Sequence, residues 1–275
     1  SFSGVRQAAE ALVNEGVTET GLTFKNTSWY VEQWFATQNQ VLVNEENGRA
    51  GDADEIFLTS DASETIYQWI VDMYEDDLFT ISGGGAGGGS NDTPIQVFVN
   101  EQAGMLIQTT GDAVSINQSA SDNGFELGVG EYPAPDGTST GLVVGGGGLW
   151  ATKELSDAEQ DSIAEFVAWL SEPEQQAFWH SNTGYFPTTE DATAVLEDDD
   201  WFEENPGLQV AFDQLEQTED TPATRGFQAG PGLEIRSLMQ DGLVNMVTGS
   251  DVQETLTRRK NEGDSILQDY IESKG

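Results

Sequence analysis

The stretch from Gly145 to Pro187 constrains the fold of this chain most strongly. It begins with GGGGLWATKE, which we interpret as the end of a glycine-rich strand, and it ends with SNTGYFPTTE. Between these two corners, apolar residues recur at helical spacing, namely Ile163, Phe166, Val167 and Leu170. The pattern predicts a helix with one apolar face, flanked by two polar, glycine-marked corners that can border one cleft.

Capping residues mark the ends of two consecutive helices in this stretch. Ser156 and Glu159 have the spacing of a capping box at the start of the first helix. For the second helix we expect Ser171 as the N-cap, Pro173 in the first turn and Gly184 as the terminator. Two well-bounded helices are therefore predicted between the corners.

Short apolar segments alternate with helical patterns over the first half of the chain. We interpret TGLTF, MLIQTTGD, FELGVGEYPAP and LVVGGGGLW as strands, SWYVEQWFATQN as a helix, and the chain after Pro187 as entirely helical. This order predicts an α/β fold. A chain of 275 residues is long enough to form two lobes.

The charge balance is strongly acidic. Ten Lys and Arg stand against 49 Asp and Glu, a net charge of −39, yet 37% of the residues are hydrophobic, with seven Trp and 13 Phe. This hydrophobic content favours a packed protein with a charged surface over a disordered one. The composition is similar to that of proteins from extreme halophiles, including archaea, where concentrated salt screens self-repulsion. No basic stripe is available for nucleic acid, and an anionic membrane surface is disfavoured.

The sequence contains no cysteine and no segment that is typical of a membrane span or a signal peptide. The chain has no cysteine, so a disulfide, a thiolate nucleophile and a Cys-ligated metal are excluded. No apolar run has membrane-spanning length, and the first residues, SFSGVRQAAEALVNEG, form an amphipathic helical pattern and not a signal sequence. If the protein is exported, we expect its signal to lie outside this chain.

Support for catalysis is weak. The one histidine, His180, lies beside Trp179 at a helix end, where a structural role is favoured. No HExxH pattern occurs, and among 49 acidic residues no glycosidase-like pair is distinctive. We therefore predict no catalytic residue and no cofactor.

Two further patterns resemble ligand sites incompletely. Asp52, Asp54 and Glu55 have the spacing of a calcium loop but lack the distal Glu, so we predict no metal site. The glycine-rich residues 83–89 lack the Lys-Ser/Thr ending of a phosphate-binding loop, and we interpret them as a flexible surface loop.

Anion recognition has more support, and Arg236 is the candidate. A pocket for an anion in so acidic a protein must concentrate the rare cations. Arg236 lies near the start of an apolar helix after GPG, where the helix dipole can assist it. A salt-bridged surface arginine is an equally consistent interpretation. Arg225 and Lys25 are second choices.

Thr109 is a candidate of the same kind. It follows a predicted strand and precedes Thr110 and Gly111, so hydroxyl and backbone N–H groups are available for an anion or a sugar hydroxyl. A simple helix cap explains the pattern equally well.

Several motifs together resemble the solute-binding proteins of ABC importers, and among them the sn-glycerol-3-phosphate-binding branch. These motifs are GGGGLW, WLSEPEQQAFWHSNTGYFPTT, DDDWFEENPGLQVAFDQL, the TRGF loop and LEIR followed by an acidic helix. The resemblance covers essentially the whole chain and is strongest from Gly145 onward. It implies a two-lobe periplasmic-binding-protein-like fold of type II that closes on its ligand.

The resemblance also implies which residues form each lobe. Residues 1–142 correspond to the second lobe, 143–222 to a crossing strand and the helical part of the first lobe, and 223–275 to a return to the second lobe. The opening segment of the family, which builds most of the first lobe, has no counterpart in this chain. The apolar faces of the helices within residues 156–182 are then expected to lack a covering sheet.

Ligand-binding positions follow from the resemblance residue by residue. Tyr185 of GYFP and Arg236 of LEIR match positions near a phosphate, Gly146 matches a backbone contact, and Thr109 replaces a ligand-binding serine. Trp29 matches one of two tryptophans that pack on glycerol. The second tryptophan is Asn26 here, which makes a more polar ligand plausible.

The function that the resemblance implies is capture of glycerol 3-phosphate or a glycerophosphodiester. The protein would be extracellular, anchored to the outer face of the membrane, and would deliver the solute to ABC permease subunits without enzymatic chemistry. A sugar- or oligosaccharide-binding protein of the same fold is the first alternative. A glycoside hydrolase and a surface adhesive domain are further ones.

Overall fold

A three-stranded parallel sheet organises the first part of the chain in the computed structural model, which describes residues 1–82 and 92–275. The strand order is β2-β1-β3, formed by β1 (Thr20–Lys25), β2 (Phe79–Ser82) and β3 (Ala103–Leu106). Leu22 in β1 pairs with Phe79 in β2 and with Met105 in β3. The five residues before Lys25 in β1 are buried, as expected for a central parallel strand covered on both faces.

Helices connect and cover these strands. Up to residue 123 they are α1 (Phe2–Asn14), α2 (Ser28–Thr37), the short left-handed turn α3 (Asn44–Gly48), α4 (Asp61–Glu75), α5 (Asp92–Val99) and α6 (Ala113–Asn123). Beyond it they are α7 (Asp157–Leu170), α8 (Pro173–Thr183), α9 (Glu190–Asp198), α10 (Trp201–Glu204), α11 (Pro206–Glu216), α12 (Gly232–Val247) and α13 (Val252–Ser273). The predicted strands TGLTF and MLIQTTGD overlap β1 and β3, and the predicted helical second half is confirmed.

Backbone contacts divide the chain into two units. Unit 1 consists of Ser1–Ile107, Tyr132–Val144 and Gln217–Gly275, and unit 2 consists of Gln108–Glu131 and Gly145–Glu216. Unit 1 holds the sheet, and unit 2 is helical in its described residues. The assignment of residues 1–142, 143–222 and 223–275 to particular lobes stays a prediction.

The core of unit 1 forms around Trp34. This side chain is fully buried, contacts the rings of Phe2 and Phe24 edge-on, and donates a 2.9 Å hydrogen bond from Nε1 to the carbonyl of Pro133. The late helices α12 and α13 add further buried side chains to the same core, among them Ile235, Leu238, Leu243 and Leu267. Each such side chain contributes about 1.5–3 kcal/mol on burial, so the C-terminal helices are integral to unit 1.

The core of unit 2 is smaller. It consists of Ala177, Leu196, Phe202 and Phe212, with His180 buried among the aromatic rings. Helix α7 has no buried residue. Large apolar side chains of α7 and α8 are instead exposed, namely Phe166, Val167, Trp169, Phe178 and Trp179. As expected, within residues 1–82 and 92–275 nothing covers the apolar face of these two helices.

Two predicted strands are wrong. FELGVGEYPAP and LVVGGGGLW have no strand structure, and the chain enters the helical stretch from an irregular segment. Side chains satisfy their backbone: the Gln33 amide accepts from the N–H of Val143 at 2.7 Å and donates to its carbonyl at 3.0 Å. The hydroxyl of Tyr132 likewise donates to the carbonyl of Tyr30 at 2.9 Å. These contacts replace the ladder that a neighbouring strand would supply.

The predicted helix ends are partly confirmed. The Glu159 carboxylate accepts hydrogen bonds from the N–H and the hydroxyl of Ser156 at 2.8 and 2.6 Å, and Gly184 ends α8 with a φ of 82°. The expected N-cap, Ser171, is wrong. It is the C-cap of α7, and α8 begins at Pro173 after Glu172, because proline takes the first helical position. The glycine-rich loop at 83–89 lies outside the described residues.

Candidate functional site

The candidate site in unit 1 lies where β1 ends. β1 is flanked by β2 and β3, so its neighbouring connections leave in opposite directions, the position at which open α/β sheets bind ligands. The chain passes from Lys25 into α2, with Thr27 as N-cap, its hydroxyl accepting from the N–H of Trp29 at 3.3 Å. Trp29 is half-buried in the first turn of α2, whereas Tyr30, Trp34 and Phe35 are buried. Trp29 is therefore the aromatic side chain of this helix that a ligand can reach.

Arg236 forms a bidentate ion pair with Glu32. Its Nε donates to Oε1 of Glu32 at 2.9 Å and its Nη2 donates to Oε2 at 2.9 Å. The Glu32 side chain is 4% exposed and that of Arg236 is 38% exposed. Arg236 also lies over the ring of Phe227, with its central carbon 5.2 Å from the ring centroid. The salt-bridged interpretation of Arg236 is thus observed, and the guanidinium is held in a fixed orientation.

The surroundings of Glu32 stabilise its charge. The hydroxyl of Ser28 donates to Oε1 of Glu32 at 2.9 Å, one helical turn earlier in α2. Hydrogen bonding to Glu32 raises the pKa of Arg236 above its ordinary value. Burial raises the pKa of Tyr67, and the Glu32 charge raises it further, so Tyr67 stays neutral. Arg236 and Glu32 thus form an ion pair whose formal net charge is zero.

Asn26 does not supply a polar ligand surface. It is 4% exposed, and its side-chain amide donates to the backbone carbonyl of Gln240 in α12 at 3.2 Å. The amide connects two elements of unit 1. Asn26 therefore offers no accessible amide at the position where the resemblance implies a tryptophan.

In unit 2, the structure brings Thr109 and Tyr185 together at Gly111. The hydroxyl of Thr109 accepts a 3.3 Å hydrogen bond from the N–H of Gly111, as a cap of the 3-10 turn Thr110–Asp112. A Cβ placed on Gly111 would lie 2.8 Å from Cε2 of Tyr185, so the ring packs directly on this glycine. Thr109 is exposed and the Tyr185 side chain is 47% exposed. Both hydroxyl-bearing residues are accessible to a ligand.

His180 supports Tyr185 from inside unit 2. It is fully buried, and its Nδ1 lies 3.0 Å from the backbone carbonyl of Tyr185, to which it donates as the neutral tautomer. Nε2 has no hydrogen-bond partner among the described residues. Burial lowers the pKa of His180. The structural role favoured by the sequence is the one observed.

The remaining predicted positions are less informative. Gly146 is exposed, and a Cβ at this position would meet no atom within 4 Å. Arg225 forms a bidentate pair with Asp220 at 2.6 and 2.7 Å. Trp29 and Arg236 belong to unit 1, whereas Tyr185, Thr109 and Gly146 belong to unit 2.

Two open depressions in unit 1 lie elsewhere. One of about 530 Å³ is lined by Phe2, Arg6 and Trp69, and one of about 510 Å³ by Glu234 and Arg259, among others. Neither is lined by Trp29 or Arg236. We place the candidate site by chemistry and position on the sheet, since acidic lining residues outnumber basic ones by four to one in the first depression and by three to one in the second.

Residues 1–82 and 92–275 contain neither a metal-binding cluster nor a membrane-spanning helix. That part of the chain contains no group of three or more His, Asp or Glu side chains arranged to hold a metal ion. Asp52, from the incomplete calcium pattern, contacts Lys274, and Glu55 contacts Lys260 at 3.1 Å. The same residues include no helix with the length and apolar character needed to cross a bilayer.

Glu32 is the site residue that sequence reasoning missed. It is separated from Arg236 by 204 positions, so no local pattern connects them. One signal was present: Glu32 is the only acidic residue between Glu19 and Glu45, and it interrupts the aromatic helix SWYVEQWFAT. A carboxylate on such a helix needs a buried partner, and the chain has only ten cations to supply one.

Comparison with known proteins establishes the family. Residues 4–210 match the family described as bacterial extracellular solute-binding protein, and the chain belongs to that family. A relative of the chain is the sn-glycerol-3-phosphate-binding periplasmic protein UgpB of Pectobacterium atrosepticum, 29% identical over 189 residues. This alignment covers 67% of the chain and 42% of the relative, so the chain spans less than half the length of that protein.

Solved structures confirm the fold class. UgpB from Mycobacterium tuberculosis, in complex with glycerophosphocholine, superposes with a TM-score of 0.73 at 21% identity and covers 98% of the chain. The sugar-binding protein MalE from Xanthomonas citri superposes with a TM-score of 0.71 at 16% identity and covers 100%. The chain accounts for 64% and 66% of these two structures. The predicted two-lobe periplasmic-binding-protein fold is confirmed, and these proteins bind solutes of two different classes.

Proposed function

We propose that this chain is the solute-binding component of an ABC importer that captures glycerol 3-phosphate or a glycerophosphodiester. It would act outside the cell, anchored to the outer face of the membrane, and deliver the solute to the permease subunits. Binding energy would favour the closed, ligand-loaded conformation, with no covalent chemistry. The relatives named above support this proposal because they are binding proteins and not enzymes.

The observation that carries the proposal is the oriented guanidinium of Arg236, which is paired with Glu32, three residues after the half-buried Trp29 in α2. Trp29 and Glu32 are three residues apart in α2 and so share one helix face, next to Arg236. A phosphate can bind the donors of Arg236 while the indole covers the carbon skeleton. Within unit 2, we propose that the hydroxyls of Tyr185 and Thr109 and the backbone of Gly146 also bind solute.

A neutral sugar or oligosaccharide is the second candidate ligand. It is favoured by the zero net charge of the Arg236–Glu32 pair, since both side chains can bond sugar hydroxyls and Trp29 can stack on a pyranose ring. The structural likeness to MalE agrees with this candidate. Sugar binding would depend on Trp29 and would be insensitive to the charge of Arg236.

Titration calorimetry of the whole chain in concentrated KCl separates the candidates. Glycerol 3-phosphate, glycerophosphocholine and maltose are the three ligands. We expect at least one phosphate ligand to bind and maltose not to bind. Binding of maltose with no response to either phosphate compound would overturn the proposal.

Site variants connect the binding to the residues. The charge-balanced variant Glu32→Gln/Arg236→Gln avoids leaving a buried carboxylate unpaired and should weaken phosphate binding by about 10- to 100-fold. Tyr185→Phe should weaken it by roughly 5-fold or more, whereas Tyr74→Phe, on α4 in unit 1, should have no effect. Equal affinities for the double variant and the parent chain would exclude Arg236 from the site.

We also propose that the protein operates in concentrated salt. The net charge of −39 is the support, because at low ionic strength so many carboxylates repel one another over distances of about 10 Å or more.

A further inference from the structure

Glu32 occupies two of the five N–H donors of Arg236 and leaves a defined edge. The carboxylate binds Nε and one hydrogen of Nη2, both at 2.9 Å. A guanidinium carries five donors in a planar fork, so two on Nη1 and one on Nη2 remain. Nη1 and Nη2 together form the end-on edge that binds a carboxylate or phosphate through two hydrogen bonds. The Arg236 side chain is 38% exposed, so a ligand can approach it from solvent.

Glu32 is rigidly placed behind that edge. It is 4% exposed and also accepts a hydrogen bond from Ser28 within the same helix. Phe227 holds the guanidinium from a second element at 5.2 Å. The donors of Arg236 are consequently oriented before any ligand arrives, which lowers the entropy cost of binding.

The same carboxylate cancels the charge that the guanidinium offers. A ligand on the outer edge of Arg236 is attracted by the guanidinium and repelled by Glu32 only a few ångströms behind it. The ligand still accepts hydrogen bonds from Arg236, but most of its net electrostatic attraction to the Arg236–Glu32 pair is lost. A second negative charge on the ligand therefore adds little favourable binding free energy.

We propose that Glu32 is a positioning and specificity-determining residue that restricts the site to phosphate ligands with a single negative charge. A phosphodiester, which carries one charge, would be preferred over a phosphomonoester, which is close to a dianion at pH 8. This inference rests on the proposed function and goes beyond it by assigning the ligand charge to one residue.

Calorimetry with two ligands tests the inference. Glycerol 3-phosphate and glycerophosphoglycerol, a diester with one negative charge and no cationic group, are titrated at pH 8 and one fixed KCl concentration into the chain and its variants. The readout is the ratio of the two Kd values. The unmodified chain should bind the diester more tightly, and Glu32→Gln should shift the ratio toward glycerol 3-phosphate by about 10-fold.

Two variants separate charge from geometry. Glu32→Asp keeps the charge but shortens the side chain, so it should weaken both ligands and leave the ratio unchanged. Asp220→Asn removes one negative charge from the bidentate pair with Arg225 in the same unit, so it controls for net charge and should change neither affinity. Thermal unfolding of each variant confirms that it is folded.

The outcomes are distinguishable. If a phosphate ligand binds and Glu32→Gln leaves the ratio unchanged within twofold, Glu32 has only a structural role and the inference is wrong. If Asp220→Asn shifts the ratio as much as Glu32→Gln, the effect belongs to net charge and the inference is also wrong. If neither phosphate ligand binds the parent chain, the proposed function itself fails, and the inference fails with it.

Discussion

Nδ1 of His180 lies 3.0 Å from the backbone carbonyl oxygen of Tyr185, so a buried imidazole holds the backbone of the residue predicted to contact the ligand. The ring is packed against Phe186, Trp201, Phe202 and Phe212. Its Nε2 has no polar partner in the described part of the chain. Protonation would place an unpaired N–H and a positive charge in this apolar cluster, which is why burial lowers the pKa of His180.

The first prediction concerns pH. Because the folded pKa of His180 lies below its ordinary value of 6.5, the unfolded chain takes up the proton first as the pH falls. The stabilisation is complete above about pH 6.5 and is lost as the pH falls through the folded pKa, with a slope of at most about 1.4 kcal/mol per pH unit. The stability advantage of the parent chain over His180→Gln should therefore shrink between pH 7.5 and pH 5.

Thermal unfolding by circular dichroism measures this advantage at fixed salt. Comparison with the variant removes the contribution of the carboxylates, which is common to both proteins. His180 is the only histidine, so no other imidazole contributes. A constant difference in Tm between the two proteins over this range would contradict the prediction.

The second prediction concerns Gly111→Ala. The new methyl group would lie within 2.8 Å of the Tyr185 ring, so the ring must move. We expect ligand affinity to fall by about 10-fold while Tm changes little, because Tyr185 is 47% exposed and can shift. Gly128→Ala is the matched control, since a Cβ at Gly128 meets no atom within 4 Å. Equal affinities for both alanine variants would show that the Gly111–Tyr185 contact does not position the ligand.

The third prediction concerns salt. Screening shortens the Debye length from about 10 Å at 0.1 M to about 3 Å at 1 M, which removes most repulsion among surface carboxylates. With a net charge of −39, raising KCl over this range should stabilise the chain by at least about 2 kcal/mol, or roughly 4–8 °C in Tm. Most of the gain should occur below 1 M. A Tm that is flat up to 1 M would show that self-repulsion does not limit stability.

The fourth prediction concerns the exposed apolar face of α7 and α8. Phe178 is 66% exposed and Trp169 is 46% exposed, so Phe178→Gln and Trp169→Gln should reduce binding of a hydrophobic dye and raise solubility, with stability changing by about 0.5 kcal/mol or less. Leu233→Gln, in unit 1, replaces a single side chain that is 79% exposed and should leave dye binding unchanged. A large loss of Tm in the Phe178 variant would show that this side chain is packed in solution.

Local signals predicted much of the fold. The capping pattern of Ser156 and Glu159 and the terminator Gly184 are short-range features that depend on a few neighbouring residues. The segment SWYVEQWFATQN was likewise predicted to be a helix, and it forms α2. The α/β class followed from the order of these local elements.

Long-range contacts were not predictable in the same way. The sequence predicts Val143 to lie in a strand. Its backbone N–H and carbonyl are instead hydrogen-bonded by the side chain of Gln33, 110 residues away. Glu32 pairs with Arg236 across 204 residues. Periodicity contains no information on such pairings, because it reports which face of an element is apolar and not what packs against it.

The core of unit 1 is built from residues that are synthesised early and residues that are synthesised late. Its sheet is encoded before residue 107, but the apolar side chains of α12 and α13 that complete its core come after residue 231. Translation proceeds at about 5–20 residues per second. The apolar side chains of the early part of unit 1 therefore stay exposed for several seconds or more while unit 2 is translated. A nascent chain that stalls on the ribosome after residue 216 would therefore expose apolar surface to which chaperones bind. For the same reason, truncation of α12 or α13 should destabilise unit 1 strongly, although these helices are far from the sheet in sequence.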